Sequence, residues 1–251
     1  MIITSKSNPK IKEIVSLKDK KFRKKSGRFV VEGYKMVSEA LSAKKQVELL
    51  VGTSEGLARF LCNEIDKIEV SEDVFNYVSD AVTPQGVLAV LKEEFAEPKT
   101  PIKPCVLLDG VSDPGNMGTI IRTCAAAGVK DIFLVDCCDV YSPKTVRSSM
   151  SGIFFVNLTV LKREDVASIM GDTPIIVADM NGENVFNFTP PEKYCLVIGN
   201  EANGVSNEVR NLATYTVKIP MATTSESLNA GVSLAVLIYE LTEGKNRSLI
   251  N

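Results

Sequence analysis

An α/β fold, a mostly parallel sheet with helices on both faces preceded by a smaller α/β domain, is predicted from three observations. Beyond residue 104, apolar runs of strand length alternate with helix-like stretches, and such alternation implies a parallel sheet. The runs at 105–108, 195–198 and 217–219 each lead into a loop bearing glycine or proline, as the ends of buried strands do. Residues 93–103 are charged, carry Pro98 and Pro101, and lack apolar periodicity, which reads as an interdomain linker. The expected domains are therefore 1–92 and 104–251, joined by 93–103.

In the first domain, helix-like spacing covers 11–17 and 36–41, and strand-like runs cover 29–31, 47–51 and 87–91. Thr83-Pro84-Gln85-Gly86 is a turn feeding the last of these. In the second, a strand at 105–108 precedes a helix over about 116–127 that stops at Gly128. A strand at 132–135 is followed by a helix near 144–150, entered through Ser142-Pro143. Further strands are expected at 154–156, 175–178, 195–198 and 217–219. The last helix runs from about 228 to 241, with Leu228, Val232, Ala235, Val236 and Tyr239 on its inner side.

The chain has 251 residues, 45% hydrophobic and 24% charged, a composition suited to a soluble protein with a real core. No apolar run approaches the roughly 18 residues of a membrane span. Met1-Ile2-Ile3-Thr4-Ser5-Lys6 turns polar at once and offers no signal-peptide core, so a cytoplasmic location is expected. Cys62, Cys105, Cys124, Cys137, Cys138 and Cys195 form no Cys-x-x-Cys pair and read as structural thiols. There is no histidine. That excludes Ser-His-Asp and Cys-His catalysis and histidine metal sites, and no metal is expected. The chemistry must use arginine, carboxylates, hydroxyls, amides or a cofactor.

Charge is unevenly placed. Residues 1–28 carry ten Lys/Arg against Glu13 and Asp19, a net +8, leaving −10 for the rest of a chain whose total is −2. Such concentration is an electrostatic footprint for a polyanion. Lys10, Lys12, Lys20, Lys21, Arg23, Lys24 and Lys25 are the expected phosphate contacts.

Three loops carry the candidate chemistry. Asp109-Gly-Val-Ser-Asp-Pro-Gly-Asn-Met-Gly holds Asn116, a candidate helix cap, with Arg122 about 9 Å further along the helix. Gly199-Asn-Glu-Ala-Asn-Gly holds Glu201 as its one carboxylate. Ile219-Pro220-Met221 leads to Ser225-Glu-Ser-Leu-Asn, where Ser225 or Ser227 would cap the final helix and Asn229 would lie inside it. Each loop alone is explained by an ordinary turn. No Gly-x-Gly-x-x-Gly or Gly-Lys-Ser/Thr occurs after a strand, which speaks against a dinucleotide fingerprint and a P-loop.

Taken together and in this order, the blocks resemble the motifs of the SpoU (TrmH-type) RNA 2′-O-ribose methyltransferases of the SPOUT superfamily, over residues 102–245. Asn116 and Arg122 match the first motif, Gly199-Asn-Glu the second, and Ile219-Pro-Met with Ser227-Leu-Asn the third. The first ninety or so residues are similar to the family's small substrate-binding domain. The resemblance implies a C-terminal trefoil knot, S-adenosylmethionine as cofactor, and a homodimer whose sites borrow residues from the partner. It further implies that Gly199, Ile219, Met221 and Leu228 contact the cofactor. Asn116, Arg122, Glu201, Ser227 and Asn229 would surround the reacting hydroxyl. Ribosomal RNA is expected ahead of tRNA as substrate; a non-catalytic RNA-binding or assembly factor is the alternative. The sequence departs from the family pattern at Ser151, where glycine is usual. It departs again at Gly231, where a small apolar residue is expected and glycine would loosen the helix by about 1 kcal/mol.

Overall fold

The computed structural model describes residues 2–61, 64–222 and 227–243; Met1, Cys62 and Ser225 lie outside the described residues. The chain divides into two compact units, Met1–Glu93 with Tyr141–Phe154, and Glu94–Val140 with Phe155–Asn251. In chain order the first elements are α1 (Pro9–Ser16), α2 (Lys20–Ser26), β1 (Arg28–Glu32), α3 (Tyr34–Ser42), β2 (Val47–Gly52) and α4 (Ser54–Ala58). There follow β3 (Asp66–Glu69), α5 (Glu72–Val78), β4 (Val87–Lys92), β5 (Cys105–Asp109), α6 (Pro114–Ala126) and β6 (Asp131–Val135). After α7 (Pro143–Ser149) come β7 (Asn157–Leu161), α8 (Val166–Met170), β8 (Ile175–Asn184), β9 (Cys195–Gly199), α9 (Asn207–Arg210), β10 (Tyr215–Lys218) and α10 (Ala230–Glu243).

The first unit is a four-stranded mixed sheet in the order β1-β4-β2-β3, with β4 antiparallel to both its neighbours and β3 parallel to β2. Ile11, Ile14 and Leu17 of the α1 segment and Val74, Phe75 and Val78 of α5 pack with Val51, Leu88 and Val90 from one sheet face. The segment Tyr141–Phe154, placed by the sequence reading in the C-terminal domain, belongs to this unit. Its Tyr141 ring lies 4.4 Å from that of Phe29 on β1. At the end of α7, Ser151 is buried with φ +71°, a region where glycine has no Cβ penalty.

Arg23 corrects an expectation. It is buried, and its guanidinium donates to the Leu17 and Lys18 carbonyls at 2.7 Å each. Those carbonyls close the end of α1, so Arg23 fastens α1 to α2 and is not presented to a phosphate. Asp19 caps α2 and left-handed Gly27 ends it, which leaves Lys20, Lys21, Lys24 and Lys25 exposed along the helix, as Lys10 and Lys12 are on α1.

The second unit is a six-stranded sheet in the order β10-β8-β9-β5-β6-β7, every pair parallel. The central strands β5, β6 and β9 are almost wholly apolar and buried because both faces are covered. Cys105, Leu107, Val197 and Phe133 meet Val166 and Met170 of α8 and Val209 of α9 on one face. The other face is left to α6 and α10, which pack on each other. Cys105 and Cys195 are cross-strand neighbours and unoxidised, like Cys124, Cys137 and Cys138. The pairing of β8 with β10 jumps from Val177 to Glu183, so residues 178–182 bulge away from the ladder. The strand expected at 154–156 is displaced: a 3-10 turn spans Gly152–Phe154, and the strand is Asn157–Leu161.

Two helix starts differ from expectation, and both matter for the site. Asp113, not Asn116, caps α6 by accepting from the Asn116 N–H at 2.8 Å, with Pro114 at the first helical position. That leaves the Asn116 side chain free for other partners. Asn229 lies before α10, not inside it, and its Oδ1 accepts from the Gly231 and Val232 N–H groups at 2.9 and 3.3 Å. The inner face of α10 is also rotated from the expected one. Leu234, Leu237, Ile238 and Leu241 are buried, while Val232 and Tyr239 remain 47% and 41% exposed. The helix is apolar nearly all round, so its pattern specifies no single phase.

Candidate active site

The loops leaving β5 and β9 and the start of α10 meet through side chains. Asn229 Nδ2 donates to Asn116 Oδ1 at 2.6 Å, and Asn116 Nδ2 donates to Glu201 Oε1 at 2.9 Å. Glu201 also accepts from the Ser112 hydroxyl at 3.0 Å and from the Ser112 and Asp113 N–H groups at 3.2 Å. Four donors thus fill the capacity of one carboxylate. Partial burial acts to raise the Glu201 pKa, but the Asn116 amide and the backbone N–H groups outweigh it and hold the carboxyl below its ordinary value. The group is an ionised anchor.

The loop carrying Glu201 is closed on itself. Asn200 and Gly204 exchange backbone hydrogen bonds at 2.9 Å, and Asn200 Oδ1 accepts from Ala202 and Asn203 N–H at 3.0 Å. Asn200 Nδ2 donates to the Gly110 carbonyl at 2.8 Å, tying this loop to the exit of β5. A Cβ on Gly199 would come within 2.2 Å of the Gly204 carbonyl carbon, so closure requires glycine there.

Beside the start of α10 lies a cavity of about 140 Å³. The bulged residues Ala178 and Met180 form one wall, Ile219 and Met221 a second, and Ser227, Leu228 and Leu237 a third. The lining is mostly apolar, with Asp179, Lys218, Ser227 and Ser233 among it.

A family model described as the SpoU rRNA Methylase family matches residues 103–239, and one described as an MRM3-like substrate binding domain matches 8–89. The chain belongs to the SpoU rRNA methylase family. It is 33% identical over 246 residues to the 23S rRNA (guanosine(2553)-2′-O)-methyltransferase RlmP of Bacillus subtilis, covering 95% of this chain and 98% of that protein. An AdoMet-bound rRNA methyltransferase from Sinorhizobium meliloti superposes with a TM-score of 0.89 at 28% identity, covering 98% of each chain. The SpoU methyltransferase AviRb from Streptomyces viridochromogenes, in complex with AdoMet, gives 0.84 at 28% identity, covering 96% of this chain and 99% of that one.

Of the residues expected to act in this SpoU chain, the structure joins Asn116, Glu201 and Asn229 in one hydrogen-bonded chain. Ile219, Met221, Leu228 and Ser227 are gathered around the cavity; Gly199 is not in its lining. Arg122 stands apart, exposed on α6, without a hydrogen bond or ion pair to a described residue. Three contributors escaped the sequence reading: Ser112, Asn200 and the buried Asp109. Asp109 left a signal as an acidic residue closing an otherwise apolar strand, and Asn200 stood in the Gly199-Asn-Glu block without a role of its own; Ser112 left none. Burial pushes Cys137 up to about 12 and Cys138 up to about 11, so this vicinal pair carries no thiolate at neutral pH.

Proposed function

We propose that this protein transfers a methyl group from S-adenosylmethionine to a ribose 2′-hydroxyl of RNA, with ribosomal RNA as substrate. The observation that carries the reading is the Asn229–Asn116–Glu201 chain, which unites three loops at the carboxyl ends of parallel strands, where open α/β sheets bind ligands. The name of the Bacillus relative and the AdoMet held by the two structural relatives support it.

The cavity suits the adenine end of the cofactor in its chemistry, a mostly apolar slot edged by Asp179, Lys218 and two serines. At about 140 Å³ it takes one flat heterocycle, since pockets for whole small molecules run to about 300–1,000 Å³. Ile219, Met221 and Leu228 would hold that ring, with Gly199 contributing backbone only. When bound, the cofactor supplies an electrophilic methyl on a sulfonium, so alignment is the main demand on the protein. Asn229 and Asn116, locked by their mutual hydrogen bond, orient the ribose with Ser227. Glu201 is saturated by donors and takes no proton; it fixes Asn116. Arg122, which offers donors and no acceptor, is left to stabilise charge developing on the 2′-oxygen or to hold the adjoining phosphate.

In the same reading, Lys10, Lys12, Lys20, Lys21, Lys24 and Lys25 contact RNA phosphates from the N-terminal unit, for which the substrate-binding model is support. The exposed Val232 and Tyr239 on α10 favour a homodimer that covers them. The family's trefoil threading, a cytoplasmic location and a metal-free reaction complete the proposal. Among the described residues no helix is long and apolar enough to cross a membrane.

The test is transfer of labelled methyl from S-adenosylmethionine into RNA of a strain lacking this protein. A 2′-O-methyl nucleoside in the ribosomal fraction supports the reading. Label in tRNA would replace the substrate, and cofactor binding without transfer would favour the non-catalytic factor.

A further inference from the structure

Asp109 closes β5 and its side chain is 1% exposed. A carboxylate in such a place is costly to bury unless it is paired and hydrogen-bonded. Its Oδ2 accepts from the Ser206 N–H at 2.7 Å. Its Oδ1 lies 2.9 Å from Nη1 of Arg163, an ion pair without hydrogen-bond alignment, and Nη2 of the same guanidinium donates to Asp136 at 2.8 Å. Arg163 therefore bridges the ends of β5 and β6, and none of these groups touches the proposed reacting hydroxyl.

We infer that Asp109 is a positioning residue for methyl transfer, acting through the closed loop that carries Glu201. The inference rests on the reading of Glu201 and Asn116 as part of the transfer site. That loop is fastened to the exit of β5 at both of its limbs. Asn200 Nδ2 holds the first limb to the Gly110 carbonyl, and Asp109 Oδ2 holds the second at Ser206. The two fastening points, Asp109 at the end of β5 and Gly110 just after it, are consecutive residues. Between the limbs the loop is braced by the reciprocal Asn200–Gly204 bonds, so a shift at Ser206 moves the loop as one body. Glu201 sits on it and meets its four donors on the segment 112–116. Asp109 thus sets the separation between acceptor and donors, and through Asn116 the position of Asn229. Arg163, 2.9 Å from Oδ1, keeps Asp109 aimed. The cavity proposed for the cofactor is lined from β8, β10, α10 and the chain between the last two. The loop bears on the proposed cofactor only at its ends, through the Gly199 backbone and through Arg210, which holds Asp179 of the lining, so the device bears on alignment more than on cofactor affinity.

The experiment compares full-length wild type with two kinds of variant in the methyl-transfer assay. The first is Asp109→Leu with Arg163→Leu, which removes both charges and the acceptor together; its conservative counterpart, Asp109→Asn with Arg163→Gln, retains an amide oxygen for the Ser206 N–H. The second is Ser206→Pro, which deletes the same hydrogen bond from the other side. The native φ of −60° at Ser206 admits proline, and Ser206→Ala, which loses only the hydroxyl that caps α9, is its reference.

In the leucine pair and in Ser206→Pro, kcat should fall roughly 10- to 100-fold, the range a displacement of about 1 Å produces. The dissociation constant for S-adenosylmethionine should change far less than kcat, and amide exchange should quicken chiefly across 110–116 and 200–206. The Asn/Gln pair should recover most of the turnover. Folded variants with wild-type kcat would overturn the positioning role. So would a loss of turnover matched by an equal loss of cofactor affinity and faster exchange throughout the sheet, the pattern of general destabilisation. Should the leucine pair not fold, Ser206→Pro against Ser206→Ala decides alone. Absence of transfer by wild type would defeat the functional reading instead.

Discussion

Glu201 is surrounded by donors from Ser112, Asp113 and Asn116, and this has consequences for pH. Its folded-state pKa lies below the unfolded value. The stability it contributes is fully present above the ordinary carboxylate range, about pH 4–5, and is lost as pH falls through the folded value. Glu201→Gln should therefore flatten the acid limb of the stability curve and leave its course between pH 7 and 9 unchanged. Thermal melts across pH measure this, and coincident acid limbs would contradict it. Asn116→Ala breaks the link between Asn229 and Glu201 and should lower kcat on the order of 10²-fold, the size of losing one pre-aligned group. Arg122 is exposed and without a partner among the described residues, so Arg122→Ala should leave the melting temperature alone while kcat drops on the order of 10²–10⁴-fold. Wild-type turnover in that variant would remove Arg122 from the reaction. The residue types at these positions were legible in the sequence. Their bonds were not, because residues 85 to 113 apart in the chain meet only once the sheet has formed.

At the scale of elements, α6 and α10 meet at a contact that propensity misjudges. Gly231 reads as a weak point in a helix, yet a Cβ there would lie 3.0 Å from Thr119 Cγ2. Gly231→Ala, which should gain about 1 kcal/mol from helix propensity, is expected instead to lose about 1–3 kcal/mol through overpacking. Denaturant unfolding measures the sign, and adding Thr119→Gly should restore much of the loss. Arg23 is a second case. Its charge placed it with the lysines around it, but its partners are the carbonyls that end α1. Arg23→Ala should destabilise the first unit by about 1–3 kcal/mol, whereas Lys24→Ala should stay within about 0.5 kcal/mol. Most strand positions survived the passage from sequence to structure because short apolar runs flanked by turn residues have few alternatives; the run at 154–156, which begins in a 3-10 turn, did not, and the mostly charged β3 offered no such run. The inner face of α10 did not, since an almost uniformly apolar helix carries no phase.

For the whole molecule, the asymmetry of charge gives a measurable prediction about RNA. Reversing Lys20, Lys21, Lys24 and Lys25 to glutamate should weaken RNA binding. It should also reduce the slope of log affinity against log salt by about 3, at roughly 0.7–0.9 per phosphate contact. Filter binding over a salt series measures it, and an unchanged slope would move the interface off α2. Arg23→Ala should leave the slope as it is. The chain order of the units is less simple than the sequence implied. Residues 93–103 form neither helix nor strand, as a linker would, yet Tyr141–Phe154 belongs with the N-terminal unit. Local composition carries no sign of that exchange, for Ser142-Pro143 opens a helix wherever the helix then packs.

The sequence by itself determined the alternation of strands and helices, the exclusion of histidine chemistry, and the three loops with their amides, carboxylate and arginine. It did so because apolar runs, caps and residue chemistry are local. Tertiary structure alone decided that Asn229 caps α10 while reaching Asn116, that Glu201 is saturated, that Arg23 is structural and that Asp109 is buried beside Arg163. Each of these depends on which backbone groups and charges the folded sheet brings within about 3 Å, the reach of a hydrogen bond, and that proximity is written in no single stretch of chain.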